Sequence, residues 1–210
     1  MSSHQPRLEQ ILPAALTEAQ QSMYDCIVAG ARDSTGKPMA TRVDGATGSL
    51  LGPFNAMLLS PDVGSELVKL ADIIRFSDLS FPQRVAEVVI LYTVRLHAAE
   101  YPFWSHTKLG RAAGLSDSTI EALRRKKIPQ TLQADENAAL LLAIEVLGGD
   151  GPDAVSDATY ATAVKELGER GIFEVLAITG FYTTLSRIVN TFRVSLPDGE
   201  KRPFAEQSVL

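Results

Sequence analysis

Residues 82–116 read PQRVAEVVILYTVRLHAAEYPFWSHTKLGRAAGLS. From Val85 to Val94 the stretch is almost wholly apolar, and Glu87 is its one charge. Such a helix belongs inside a bundle, because a surface helix keeps a polar face. Ser80 with Gln83 forms a capping-box pair and Pro82 suits a first turn, so a helix is expected from about Pro82 to Ala98. A shorter one is expected from about Pro102 to Ala113, stopped by Gly114.

The same pattern extends in both directions. Thr17 and Gln20 form a capping-box pair before EAQQSMYDCIVAGAR. Residues 33–52 are rich in Gly, Ser and Thr and lack periodicity, so they read as a long loop. GPFNAMLLSP offers one or two helical turns. Val63, Leu67, Leu70, Ile73 and Ile74 give the next helix its apolar spacing. Ser116 caps SDSTIEALRRKK, whose basic end suits a helix C-terminus. ENAALLLAIEVLGG and SDATYATAVKELGERG follow, and GIFEVLAITGFYTTLSRIVNTF closes the core before a tail at 197–210. RVSLP is the one short strand candidate. The expected fold is all-α, a single domain of about eight helices over residues 1–210. AEVVILYTVRL and FEVLAITGFYTTL echo each other, each with a lone Glu opening an apolar helix, which would fit an internal duplication.

The 210 residues are 45% hydrophobic and 21% charged, as in an ordinary globular domain. A net charge of −5 argues against a nucleic-acid surface. No run of about 18 apolar residues without charge suggests a membrane span. The N-terminus lacks a signal-peptide core, and one cysteine, Cys26, allows no internal disulfide. A cytoplasmic protein is expected, with Cys26 a buried free thiol.

Glu87 is the first candidate for chemistry, since a buried carboxylate must be paired, hydrogen-bonded or protonated. Arg84, one turn earlier, could pair with it or bind substrate. Of the three histidines, His4 lies at the terminus and His97 near a helix end, which leaves His106. His106 follows Phe103 and Trp104 and reads either as a hydrogen-bonded core residue or as an acid–base group. No histidine pair has metal spacing, so no metal is expected. No nucleophile elbow, Cys-x-x-Cys pair or Gly-rich phosphate loop occurs.

Pro82, Arg84 and Glu87, then Glu100, Tyr101 and His106, then Gly114, Leu115 and Ser116, together resemble the core segment of the carboxymuconolactone decarboxylase family, within the AhpD-like superfamily. The resemblance runs over about residues 50–197. It implies an AhpD-like helical bundle and a homo-oligomer, trimer or hexamer. It also implies a cofactor-free lyase that decarboxylates a small carboxylated lactone or another intermediate of aromatic-compound breakdown. His106 and Glu87 would be the catalytic pair, with His106 as general acid/base. Phe54, Tyr101, Trp104 and Tyr182 are expected to line the pocket, with Arg84 and Glu100 also substrate-binding. Peroxidase members carry a Cys-x-x-Cys pair where this chain has Ala99 and Pro102, and thiol peroxide chemistry needs both sulfurs. Decarboxylases often place a second Glu at the position of Pro102. A peroxidase and a non-catalytic ligand-binding member are the alternatives. Spacing alone leaves Glu87 and His106 about 9 Å out of step in a simple hairpin.

Overall fold

The computed structural model describes residues 5–30 and 42–204. The elements are α1 (Glu18–Gly30), α2 (Pro53–Met57), α3 (Pro61–Phe76), α4 (Gln83–Leu96), α5 (Glu100–Ala112), α6 (Asp117–Arg124), α7 (Ala134–Gly148) and α8 (Asp157–Phe192). A single 3-10 turn, Pro13–Ala15, precedes them. The all-α expectation holds: among the described residues the only β pairing is one antiparallel bridge, Val43 with Leu50. RVSLP forms no strand.

α4 is the axis of the molecule. Ten of its fourteen residues are buried, from Val85 to Arg95, and it packs on α5, α6, α7 and α8. Each fully buried Val, Leu or Ile there contributes about 1.5–3 kcal/mol. Its predicted Ser80 cap is absent: the Ser80 N–H and hydroxyl both donate to Glu174, and Pro82 itself occupies the cap position. The Thr17–Gln20 box and the Ser116 cap form as read.

α4 ends in a tight reversal. The Ala98 N–H donates to the Arg95 carbonyl and the Ala99 N–H to the Val94 carbonyl, with Ala98 at φ 52°. This is the hydrogen-bond pattern usually closed by glycine. The α5 helix therefore starts at Glu100, two residues earlier than expected. Pro102 fits its first turn because those N–H groups have no helical acceptor. Gly114, at φ 97°, ends it as predicted.

α3 forms where expected, but its buried face is Gly64, Val68, Ala71 and Ile74. Val63 and Ile73, both assigned to its apolar stripe, are exposed, as is Phe76. α8 is two helices joined across a kink at Gly168 (φ 71°, ψ 170°), so the two C-terminal segments read from sequence both exist. It is long and apolar enough to cross a membrane by composition, yet half of its most apolar window is buried inside the molecule. Cys26 is exposed, contrary to expectation, because Met23 and Ile27 supply the buried face of α1.

Candidate active site

α4 and α5 bring Glu87 and His106 into contact. With α4 ending at Leu96 and α5 starting at Glu100, Glu87 lies nine residues from its helix end and His106 six from its helix start. The axial offset falls to about 4.5 Å, within side-chain reach. Gly110 lets the helices close: a Cβ there would sit 3.1 Å from Leu115 Cδ1, 3.5 Å from Leu91 Cδ1 and 3.8 Å from Glu87 Cβ.

His106 Nδ1 lies 2.8 Å from Glu87 Oε2 and Nε2 lies 3.0 Å from the Tyr182 hydroxyl. All three residues are buried, with relative exposures of 5%, 1% and 1% for His106, Glu87 and Tyr182. The Arg84–Glu87 pair considered from sequence does not form. Gln83 Nε2 approaches the other Glu87 oxygen at 3.5 Å. The carboxylate accepts the Nδ1–H, which leaves the Nε2 lone pair facing the Tyr182 O–H donor. Burial raises the Tyr182 phenol well above its ordinary range, with the Glu87 charge adding to the rise, so the hydroxyl stays protonated. The Tyr182 ring meets the imidazole edge-on at 4.9 Å.

His106 and Tyr182 open onto a cavity of about 40 Å³, narrow enough to restrict it to a few waters or one small molecule. Its walls include Pro53, Phe54, Met57, Tyr101 and Leu185, together with Arg42 and Arg75. Of the residues expected at the pocket, Phe54, Tyr101 and Tyr182 line it and three do not. Arg84 binds Asp135 at 2.8 Å and Glu136 at 3.0 Å, and also Gln133, tying α4 to the start of α7. Glu100 pairs with Arg202. Trp104 stacks edge-on behind Tyr101, with Lys108 over its ring. Burial pushes the Tyr101 phenol far above its usual range as well.

Arg42 and Arg75 escaped the sequence reading. Arg42 sits in the segment read as a loop, but its described part, from residue 42 on, is a two-rung hairpin. The Leu51 N–H donates to the Arg42 carbonyl and the Asp44 N–H to the Ser49 carbonyl. Asp44 Oδ1 accepts from the Ala46 and Thr47 N–H groups, which shapes the turn and lowers the Asp44 pKa. The Tyr24 hydroxyl clamps it through the Gly48 carbonyl. Asp44-Gly45 between apolar residues was the available signal. Arg42 is 1% exposed, lies over the Phe54 ring at 4.9 Å and donates from Nη2 to Asp72 at 2.6 Å. Its Nε and Nη1 are buried without a hydrogen-bond partner. Each such donor costs about 1–3 kcal/mol when left unmet. Arg75 is part-buried on α3, and burial lowers its pKa.

A wider groove, about 600 Å³, lies between residues 5–10, 44–56 and 192–198. Its ionisable side chains are Glu9, Asp44 and Asp198, none of them buried. Among the described residues no three His, Cys, Asp or Glu side chains converge as metal ligands.

No family profile and no curated protein matches the chain. Solved structures do. An AhpD-core, peroxidase-related protein from Ralstonia eutropha JMP134 superposes with a TM-score of 0.72 at 16% identity, over 95% of this chain and 94% of that one. This chain has the AhpD-like fold. A second AhpD-like neighbour is a protein of unknown function from Agrobacterium tumefaciens, provisionally assigned as the antioxidant defence protein AhpD. It gives 0.59 at 21% identity, over 68% of this chain and 96% of that one. The debrominase Bmp8, solved with 2,3,4-tribromopyrrole, gives 0.66 at 13% identity, over 92% and 95%. The AhpD-like bundle here carries its buried Glu–His–Tyr chain at the α4–α5–α8 junction.

Proposed function

We propose that this AhpD-like protein is a cofactor-free lyase that decarboxylates a small carboxylated lactone, in the manner of 4-carboxymuconolactone decarboxylase. The observation that carries the reading is the Glu87–His106–Tyr182 chain opening on a narrow, largely apolar cavity. Departure of CO2 leaves its bonding pair on the substrate carbon, where the conjugated lactone carbonyl takes up the charge. A proton must then reach that carbon. His106 takes that proton from solvent at Nε2 and passes it on through the Tyr182 hydroxyl, which gives one proton to the carbon as it accepts another from Nε2. Glu87 holds the ring and balances the imidazolium charge. The apolar walls favour the spreading of the carboxylate charge over the larger enolate as CO2 departs.

A one-ring substrate is larger than this cavity of about 40 Å³, so its entry would part the lining side chains; the debrominase of the same fold is solved with such a one-ring ligand, 2,3,4-tribromopyrrole. No cysteine lines the cavity, and Cys26 is exposed on α1. The thiol peroxidase alternative therefore has no thiol to act at the site.

The test is a panel of carboxylated lactones and β-keto acids assayed for CO2 release in D2O. Deuterium is expected at the carbon that lost CO2, and Cys26→Ser is expected to retain full activity. Peroxide reduction that disappears in Cys26→Ser would overturn the reading.

A further inference from the structure

Arg42 is held in place from one side only. Asp72 takes one Nη2 hydrogen and Phe54 supports the guanidinium face, while Nε and Nη1 stay buried and unpartnered beside the cavity. Three N–H donors of a fixed cation are thus left unmet in a residue that lines the cavity. Arg75, from the same helix as Asp72, adds a second cation to the lining. The carboxylates Asp72 and Glu87 are absent from that lining: one backs Arg42 and the other backs His106. Both cationic residues border the cavity and neither carboxylate does.

We propose that Arg42 is the seat of a substrate carboxylate that the reaction leaves in place, and that the cavity selects small carboxylates with a flat or cyclic apolar body. This builds on the acid–base reading of the same cavity and names the anchor that reading requires. A planar guanidinium with free N–H groups matches a carboxylate better than a spherical ion. Pro53, Phe54, Met57 and Leu185 would contact the hydrocarbon body, whereas inorganic phosphate has nothing apolar to offer them. The hairpin of residues 42–51 is then the element that delivers the anchor, and Asp72 is a positioning residue that fixes its orientation.

Isothermal titration calorimetry on the full chain tests this with cyclohexanecarboxylate and benzoate against benzamide and inorganic phosphate. The carboxylates are expected to bind at least about tenfold more tightly than benzamide or phosphate. Arg42→Gln is expected to remove about that tenfold preference while leaving benzamide binding as it was. Should Arg42→Gln fail to fold, Arg42→Lys is read instead; it keeps the charge, loses the planar donors and is expected to weaken carboxylate binding by about threefold or more. His106→Gln separates the two readings, because it should keep carboxylate binding within about threefold while losing turnover. Equal carboxylate affinity in the parent and in folded Arg42 variants would overturn the assignment, as would phosphate binding as tightly as benzoate. If carboxylates fail to bind while lactone turnover still depends on His106, the Arg42 seat falls and the acid–base reading stands.

Discussion

Glu87 and His106 were legible one residue at a time, because a lone charge in an apolar helix must find a partner. Spacing alone did not show which partner it found; the family resemblance was what paired it with His106. Arg84 was the nearest cation in sequence, yet Asp135 and Glu136 hold it, at the N-terminus of α7 where acidic side chains are favoured. Arg42 was hidden for the opposite reason: it lies in a stretch with no period, and its partner Asp72 is 30 residues away. Gly52 connects that stretch to the site. It adopts φ 62°, ψ −139°, and a Cβ there would stand 2.3 Å from Tyr101 Cε1 and 2.5 Å from Cζ. Gly52→Ala is expected to cost about 1–3 kcal/mol from the backbone alone, with further loss as Tyr101 is displaced at the cavity wall. A thermal melt should show a fall of several degrees, and an unchanged midpoint would contradict the close approach.

The helices themselves were readable, because apolar spacing and capping residues are local signals. Where two signals competed, packing decided. On α3 Val63 and Ile73 face solvent, while Gly64, Val68 and Ala71 pack inward with Ile74. The α4–α5 reversal was harder to place, since no glycine marks it. Ala98 takes the left-handed position instead, exposed and at φ 52°. That reversal sets the register of Glu87 against His106, so its two-residue difference from expectation decides whether the pair meets. Ala98→Gly relieves the strain of an L-residue at positive φ, partly offset by glycine's greater freedom when unfolded. It is expected to stabilise the protein by about 0.5–1 kcal/mol in urea unfolding without changing activity. Destabilisation would show that the reversal is built otherwise.

At the scale of the whole molecule, the bundle buries α4 and presents its acid–base chain where α4, α5 and α8 meet. It leaves Phe173 72% exposed and Leu176 40% exposed on α8. The homo-oligomer expected from the sequence would cover that face with a second copy. Sedimentation equilibrium should find an assembly larger than one chain, and Phe173→Arg should shift it toward the monomer; a parent that sediments as a monomer would contradict this. The lyase we propose makes one demand above the others, that the proton passes through His106. The direct measurement is kcat/KM of His106→Gln on a lactone that the parent decarboxylates, with circular dichroism and the melting midpoint recorded alongside. The account predicts a fall of about 10²–10⁴-fold in a protein that remains folded. Turnover within about threefold of the parent would contradict it.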